Sequence, residues 1–277
     1  MRKLLTASFS RLWKEKMFWI AFAFMSIGSA CFSWMSYNTT MKNTDIEFYV
    51  EDMMFNMLPM IGFVFLFFIS MRLGTEFDEH TIRNKLVVGY NRTQVYFAEY
   101  ITCMTASLIL LVVMLLCSTL SGWFLFRKFQ SGWMEVAFLL LCCVLMASVF
   151  SAMSVGICMN VRNKATSLVS AIIFLFVIIM LASFYINALA EEPTTYSHVS
   201  ITMDGIQYGD LSDNPAYIDG FQRTIYELIA DILPTGQTIQ LNNLDYERAS
   251  RWPLLSIIML AVSTFAGYLP FRKRDIR

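Results

Sequence analysis

The sequence GTEFDEHTIRNKLVVGYNRTQVYFAE, residues 74–99, is a charged segment between two long apolar runs. The runs cover residues 54–71 and 97–126, and each is long enough to cross the roughly 30 Å hydrocarbon layer of a bilayer. The segment is therefore predicted to be a loop that emerges on one side of a membrane between two spanning helices.

Charge patterning inside this loop predicts a short helix. Asp78 and Glu79 stand at its expected start, while Arg83 and Lys85 stand towards its end. Acidic residues in the first turn and basic residues in the last turn complement the dipole of a helix. We therefore expect the helix to begin near Asp78.

Turn and capping residues mark where that helix stops and where the next one starts. Ile82 and Leu86 are four residues apart and share one face, and Gly89 supplies a left-handed stop. Asn91 can cap the following helix, with Gln94 returning the bond as in a capping box. The loop is predicted to present a short amphipathic helix to a partner in the cytosol.

The composition places the whole chain in a membrane. Of the 277 residues, 57% are hydrophobic and 15% are charged, and the mean hydropathy is +0.54. Soluble domains are closer to half apolar and a quarter charged. Because the apolar excess is gathered into runs of about twenty residues, we predict an all-α polytopic membrane protein with six transmembrane helices.

The charges of the loops orient these helices. The predicted spans are residues 17–37, 54–71, 97–126, 133–158, 166–189 and 252–271. If the N-terminus is cytoplasmic, most Lys and Arg residues lie inside and most acidic residues lie outside. This distribution follows the positive-inside rule, so both termini are expected in the cytoplasm. Four tryptophans then form an aromatic belt at the outer interface: Trp34, Trp123, Trp133 and Trp252.

Residues 1–16 form the first of four predicted parts of the chain. Leu5, Phe9, Leu12 and Trp13 share one face of a basic helix, which is typical of an amphipathic helix in the cytoplasmic headgroup layer. A targeting presequence is the alternative, but no acceptable cleavage site follows the first apolar run.

The other three parts follow from the spans. Residues 17–189 hold transmembrane helices one to five with the helical segment 74–92, residues 190–251 form a small α+β extracellular cap, and residues 252–277 hold helix six and a basic cytoplasmic tail.

The predicted cap combines a hairpin with an amphipathic helix. Asp204-Gly205 lies between two runs of alternating apolar residues, which is a hairpin signal. Helical spacing then relates Phe221, Ile225, Leu228, Ile229 and Ile232, until Pro234-Thr235-Gly236 interrupts it. All six cysteines lie in predicted spans, so no disulfide framework is expected.

Chemical motifs are sparse. The sequence contains no Gly-rich phosphate loop and no nucleophile with a paired base. The two histidines, His80 and His198, fall on opposite sides of the predicted membrane, so they cannot share a zinc site within one chain. We therefore predict that the chain is not an enzyme.

Two features inside the spans have structural interpretations. Glu99, about one turn into the third span, is interpreted as an interfacial residue near Arg92 rather than a proton relay. Ser148, Ala152 and Gly156 are spaced four apart, which predicts close packing of the fourth span against another helix.

The order of features around the segment 74–99 is informative as a whole. A membrane helix is followed by Glu76, the run HTIRNKL at residues 80–86, Gly89 and Arg92, which leads into a third helix. The chain also carries a basic tail, FRKRDI at residues 271–276. With the basic N-terminal helix, six spans and an enlarged loop before the sixth, this pattern resembles the permease subunits of type-2 ABC exporters.

The resemblance implies that segment 74–92 is a coupling helix that docks into a groove on a separate ATPase subunit. The residues expected to make that contact are Glu76, Phe77, Thr81, Ile82, Arg83, Lys85, Leu86 and Arg92, with Ile82 and Leu86 as an apolar plug. A smaller contact is expected from Arg162, Asn163 and Lys164 in the next cytoplasmic loop.

The resemblance also implies the rest of the assembly. Two ATPase subunits and two permease copies, expected to be a homodimer, form the working unit in a bacterial plasma membrane. ATP and Mg²⁺ would bind to the ATPase, and this chain would bind no cofactor and no nucleic acid. Because the enlarged outer loop resembles the peptide, bacteriocin and drug branches, an amphipathic or hydrophobic cargo is expected.

Two other functions stay open on the sequence alone. A secondary transporter needs an ion site inside the membrane, but the middles of the six spans carry no ionisable residue. A membrane sensor or immunity protein could bind an external peptide through the acidic cap without moving it. The 24 Phe and 19 Met suit a varied apolar cargo, although lipid contact and helix packing explain them equally well.

Overall fold

The computed structural model describes residues 1–42, 49–129, 132–161, 163–196, 199–202, 205–208, 210–243 and 248–273. Arg162, His198 and Asp204 lie outside the described residues. The α-helices of the described part run in this order: α1 (Arg2–Leu12), α2 (Lys16–Lys42), α3 (Val50–Phe55), α4 (Leu58–Asp78), α5 (Thr81–Val87), α6 (Arg92–Leu125), α7 (Trp133–Asn160), α8 (Lys164–Leu189), α9 (Gly220–Ile232), α10 (Pro234–Asn242) and α11 (Trp252–Lys273).

Long apolar helices dominate this order. Six helical segments of the described residues are long and apolar enough to cross a membrane, and they coincide with the six predicted spans. The all-α polytopic fold is therefore confirmed. Because α6 has 34 residues, and a helix rises about 1.5 Å per residue, it projects well beyond a bilayer's apolar layer.

The bundle has two different ends. We call the end that carries α1 and α5 the basal end, and the end that carries the strands and α9 the distal end. The short helix α5 connects the basal ends of α4 and α6.

The connection from α4 to α5 differs from the prediction. The structure contradicts a helix start near Asp78, because α4 continues through Asp78 and α5 begins at Thr81. The reversal occurs at His80, which has a left-handed backbone with φ 55°. Glu76 lies in the last turn of α4, where its carboxylate accepts hydrogen bonds from Thr81 and Lys85 of α5. The charge pattern alone therefore predicted a start for α5 that lies too close to the N-terminus.

The connection from α5 to α6 agrees with the prediction. Gly89 has φ 103°, which is the left-handed conformation that glycine adopts without steric strain. Asn91 caps α6, and its backbone N–H donates to Gln94 Oε1 at 3.2 Å. The predicted stop and capping box are both confirmed, and together they direct the chain back into the membrane.

Small residues bring α7 and α11 together. Gly156 lies against Gly267 so closely that a Cβ on Gly267 would overlap the Cα of Gly156. The side-chain amide of Asn160 donates to the carbonyls of Gly156 and Gly267, at 2.7 Å and 2.8 Å. The close helix packing predicted for the fourth span is therefore confirmed at Gly156.

The distal end contains two small antiparallel pairs of strands: β1 (Thr194–Tyr196) with β4 (Leu211–Asp213), and β2 (Val199–Thr202) with β3 (Gly205–Tyr208). The second pair confirms the predicted hairpin. Its register pairs Thr202 with Gly205, so Gly205 is the first strand residue rather than a turn residue.

Part of the chain between the strands and α11 also enters the bundle. The amphipathic α9 and its interruption before Pro234 are confirmed, but a new helix, α10, follows at once and packs against α4, α7 and α8. Thr235 donates a hydrogen bond of 3.0 Å to the carbonyl of Ile178, well inside α8. Helix α10 therefore enters the bundle rather than only capping its outer surface.

Burial of α10 also changes the role of Trp252. This side chain is fully buried, and its indole N–H donates to Asp231 Oδ1 at 3.3 Å. The prediction that Trp252 belongs to an interfacial belt is wrong, because its side chain is buried inside the protein against the end of α9. Trp34, Trp123 and Trp133 are exposed, at 59%, 50% and 81%.

Candidate functional site

Helix α1 forms one wall of the basal site. Its inward face consists of Leu4, Ser8 and Leu12, and it packs against α6. Trp13, which was predicted to share the apolar face, is half exposed. Ser8 faces inward because its hydroxyl donates to Glu99 Oε1 at 2.7 Å, so a polar contact helps to set the rotation of α1.

Arg72 is a fully buried cation of α4. Its Nη2 lies 3.3 Å from Glu99 Oε2 of α6, and its Nη1 lies 2.9 Å from Glu15 Oε1, just after α1. A buried guanidinium requires such carboxylate partners, because the desolvation of an isolated charge is costly. These contacts tie α4 to α6 and to the α1–α2 connection.

Lys85 brings α5 into the same set of contacts. Its Nζ lies 2.6 Å from Glu76 Oε2 and 2.7 Å from Glu99 Oε1. The Thr81 hydroxyl lies 2.8 Å from Glu76 Oε2, and Arg11 Nη1 lies 3.5 Å from Glu76 Oε1. The inner face of α5 is therefore bound to both of its flanking helices.

We call this set of six charged residues the basal ion cluster. Its members are Arg11, Arg72, Lys85, Glu15, Glu76 and Glu99. Three cations match three carboxylates, so the cluster can be buried without a net charge when all members are ionised. The arrangement links α1, α4, α5 and α6 through charge-assisted contacts rather than through apolar packing alone.

Glu15 lies at the edge of the cluster, outside the spanning helices. Burial raises the pKa of its carboxyl above the ordinary value, and the Arg72 guanidinium opposes that rise without cancelling it. The raised pKa means that loss of hydration makes ionisation of the Glu15 carboxyl less favourable than in water, even beside Arg72.

The structure corrects two sequence-based expectations at this site. Glu99 contacts Lys85, Arg72 and Ser8, and it is a fully buried member of the cluster. It was expected to be an interfacial residue near Arg92. Ile82 is also fully buried in the core of this chain, which contradicts its expected role as an exposed apolar plug.

The remaining predicted residues of the segment fall on two sides of α5. Glu76 and Lys85 are members of the cluster and Thr81 contacts it, while Phe77 is half-buried against the core. Arg83, Leu86 and Arg92 instead line an outward groove of about 390 Å³, together with Val87, Tyr90 and Asn91. Val87 is 77% exposed there, so a partner can reach this side of α5.

The predicted second contact lies close to the end of α4. Asn163 caps α8, accepting a hydrogen bond of 2.9 Å from the backbone N–H of Ala165. A Cβ on Gly74 would lie 2.7 Å from the Cα of Lys164, so the start of α8 packs directly on α4. Two of the three predicted residues, Asn163 and Lys164, therefore lie beside α4, the helix that carries Arg72 and Glu76.

Sequence reasoning missed four site residues, which are Ser8, Arg11, Glu15 and Arg72. A signal was present for Arg72, because it directly follows an apolar run and lies one helical turn before Glu76. A cation at that position in a spanning helix calls for a buried carboxylate from another helix. Glu99 is the acid of the adjacent predicted span that satisfies this need.

Comparison with known proteins identifies the family of the chain. Residues 4–183 match the family described as "ABC-2 family transporter protein". A search among curated proteins gives no significant match. The family match extends from α1 into α8, and it therefore includes every residue of the basal ion cluster and all of α5. Because it spans more than half of the chain, this multi-pass membrane protein belongs to the ABC-2 transporter family, as a permease component.

Proposed function

We propose that this chain is the permease of an ATP-driven exporter for an amphipathic or hydrophobic cargo, and that a separate ATPase drives it through α5. The observation that carries the proposal is the two-sided environment of α5. Its inner side is bound by the basal ion cluster, while Arg83, Leu86 and Val87 line an open groove on its outer side. This arrangement suits a helix that receives movement from a partner.

The inner contacts give a route for that movement. A seven-residue helix is too short to be stable alone in water, but Lys85 anchors it to Glu76 of α4 and to Glu99 of α6. Displacement of α5 by an ATPase would therefore pull on two spanning helices and, through Ser8 and Arg72, on α1. Rigid-body movement of these helices is how we propose that ATP binding reaches the transport pathway.

The rest of the assembly follows from the same proposal. ATP and Mg²⁺ would bind to two ATPase subunits, and a second permease copy would complete the pathway. Helix α8 exposes apolar side chains that lipid or a second copy can cover, including Phe176, Met180 and Phe184. An open apolar cavity of about 330 Å³ between α2, α4 and α8, lined in part by Met17, Phe24 and Met60, supports a hydrophobic cargo.

Vesicle transport tests the proposal directly. Inside-out vesicles that carry this chain with its ATPase should accumulate a labelled amphipathic peptide or a hydrophobic drug only when ATP is present. The control is the same vesicle with the catalytic carboxylate of the ATPase replaced, which should abolish accumulation. Uptake driven by an ion gradient without ATP would contradict the proposal, and so would ATP-dependent uptake confined to right-side-out vesicles.

Cysteine labelling tests the proposed orientation, in which the basal end faces the cytoplasm. Asp213 of β4 and Lys273 of α11 are exposed residues at opposite ends of the bundle. In a variant without the native cysteines, an impermeant reagent added to intact cells should label D213C and leave K273C unlabelled until the cells are opened. Labelling of both positions in intact cells would contradict six spans with cytoplasmic termini.

A peptide sensor is the second candidate function, and one observation favours it. At the distal end, α9 exposes Phe221 at 81% and Leu228 at 50% on an amphipathic helix. Such a face could bind an external peptide without moving it. The vesicle experiment separates the two functions, because a sensor would bind the peptide at the distal end but would not accumulate it with ATP.

A further inference from the structure

A second cavity at the basal end lies on the side of α5 that faces α1. It measures about 250 Å³ and opens between the two helices. Its polar lining includes residues of α1, namely Lys3, Ser8 and Arg11, and residues of α5, namely Thr81, Asn84 and Lys85. Val88 lines this cavity and Val87 lines the outward groove, so different faces of α5 border the two openings, and Tyr90 lies between them and lines both.

The cavity is cationic. Lys85 is neutralised by Glu76 and Glu99. Arg11 is half exposed and lies 3.5 Å from a single carboxylate oxygen of Glu76, a residue that Lys85 already binds more closely. Among the ion pairs of the described residues, none involves Lys3. Lys3 therefore adds a positive charge that the basal ion cluster does not balance, beside the half-exposed Arg11 of that cluster.

The cavity also lies at the depth of the lipid headgroups. Ser8 contacts Glu99 near the start of α6, so α1 packs beside the basal ends of the spanning helices. Trp13 and Trp19 are both about half exposed, with ring centroids 6.2 Å apart, and the Trp19 indole donates to the Trp13 carbonyl at 3.0 Å. Exposed tryptophans at the start of a spanning helix mark the membrane interface.

We infer that the cavity between α1 and α5 binds the phosphate of an anionic phospholipid. Lys3 and Arg11 supply the charge, and the Asn84 amide at the wall can donate a hydrogen bond. The apolar residues Leu4 and Ala7 line the same cavity and suit the glycerol and upper acyl chain. This site goes beyond the proposed function, because it requires neither the ATPase nor a cargo.

Native mass spectrometry of the purified full-length chain tests this inference with phosphatidylglycerol and phosphatidylcholine as probes. The variant K3Q/R11Q removes two cations from the cavity. The control R2Q/K14Q removes two exposed cations from the same N-terminal segment that do not line the cavity. Wild type should retain phosphatidylglycerol in preference to phosphatidylcholine. That retention should fall about tenfold in K3Q/R11Q and less than about threefold in the control.

Each other outcome is decisive as well. Equal losses in both double variants would show general attraction to a basic surface and would overturn the site. Displacement of phosphatidylglycerol by inorganic phosphate alone would assign the cavity to a soluble anion. Unchanged lipid retention in K3Q/R11Q with loss of a co-purifying ATPase would assign it to a protein contact. If the double variant fails to fold, K3Q alone is the test, and unchanged retention would then overturn the inference.

Discussion

Replacement of Arg72 by Met is expected to lower the free energy of unfolding by about 3–5 kcal/mol, the usual cost of removing one partner of a buried ion pair. Methionine has a similar reach but no charge, so Glu99 Oε2 loses its guanidinium partner, 3.3 Å away in the wild type. Glu15 loses its 2.9 Å contact to the same group. The loss concentrates on Glu99, because its side chain is fully buried.

Equilibrium unfolding in detergent micelles measures this effect, and two further variants define it. R83M removes an equally charged side chain from an exposed position of α5, and it should change the free energy of unfolding by less than about 0.5 kcal/mol. R72M/E99Q removes both members of the fully buried pair and should recover much of the loss, because the carboxylate that remains without its guanidinium, that of Glu15, is partly exposed. Equal effects of R72M and R83M would contradict a stabilising role for the cluster.

Local signals account for what the sequence could predict. Length and hydropathy locate the six spans, since a bilayer requires about twenty apolar residues for each helix. Gly89 predicts the turn after α5, and the pair Asn91–Gln94 predicts the start of α6. Both signals can be read from the sequence because each of them affects only the backbone within a few residues. The hairpin of β2 and β3 is equally local.

Long-range polar contacts account for what the sequence could not predict. Arg72 reaches Glu15 across 57 positions and Glu99 across 27, so no local pattern relates them. The interpretation of Ile82 failed for a related reason. An apolar residue on an amphipathic helix can face the chain's own core or a partner, and its spacing is the same in both cases. Here Ile82 faces the core of this chain.

The burial of helix α10 also depends on contacts that local sequence patterns do not predict. Its Gln and Thr residues look like those of an exposed loop, yet Thr235, Gln237 and Gln240 are buried. They find partners in other elements. Thr235 donates to the Ile178 carbonyl, and the Gln237 amide contacts the Ser256 hydroxyl at 3.1 Å. A polar helix can enter the bundle only if such partners exist, and composition does not reveal them.

The variant V87D is expected to abolish retention of the ATPase while leaving the fold of this chain intact. Val87 is 77% exposed in the groove formed with Arg83 and Leu86, so a carboxylate there is hydrated in the free chain. Docking would desolvate that carboxylate at a cost of several kcal/mol. Co-purification of the ATPase with the tagged chain measures retention, and monodispersity in detergent reports the fold. I82D should instead fail to fold, because Ile82 lies in the core.

Val88 provides the matched control for this experiment. It is next to Val87 and has the same 77% exposure, but it lines the cavity that faces α1. V88D therefore introduces the same charge on the same helix on the other side, and it should retain the ATPase. Equal loss of the ATPase in V87D and V88D would mean that docking is not confined to the outward groove. If V87D retains the ATPase at the wild-type level, the contact lies elsewhere and α5 is not the docking helix.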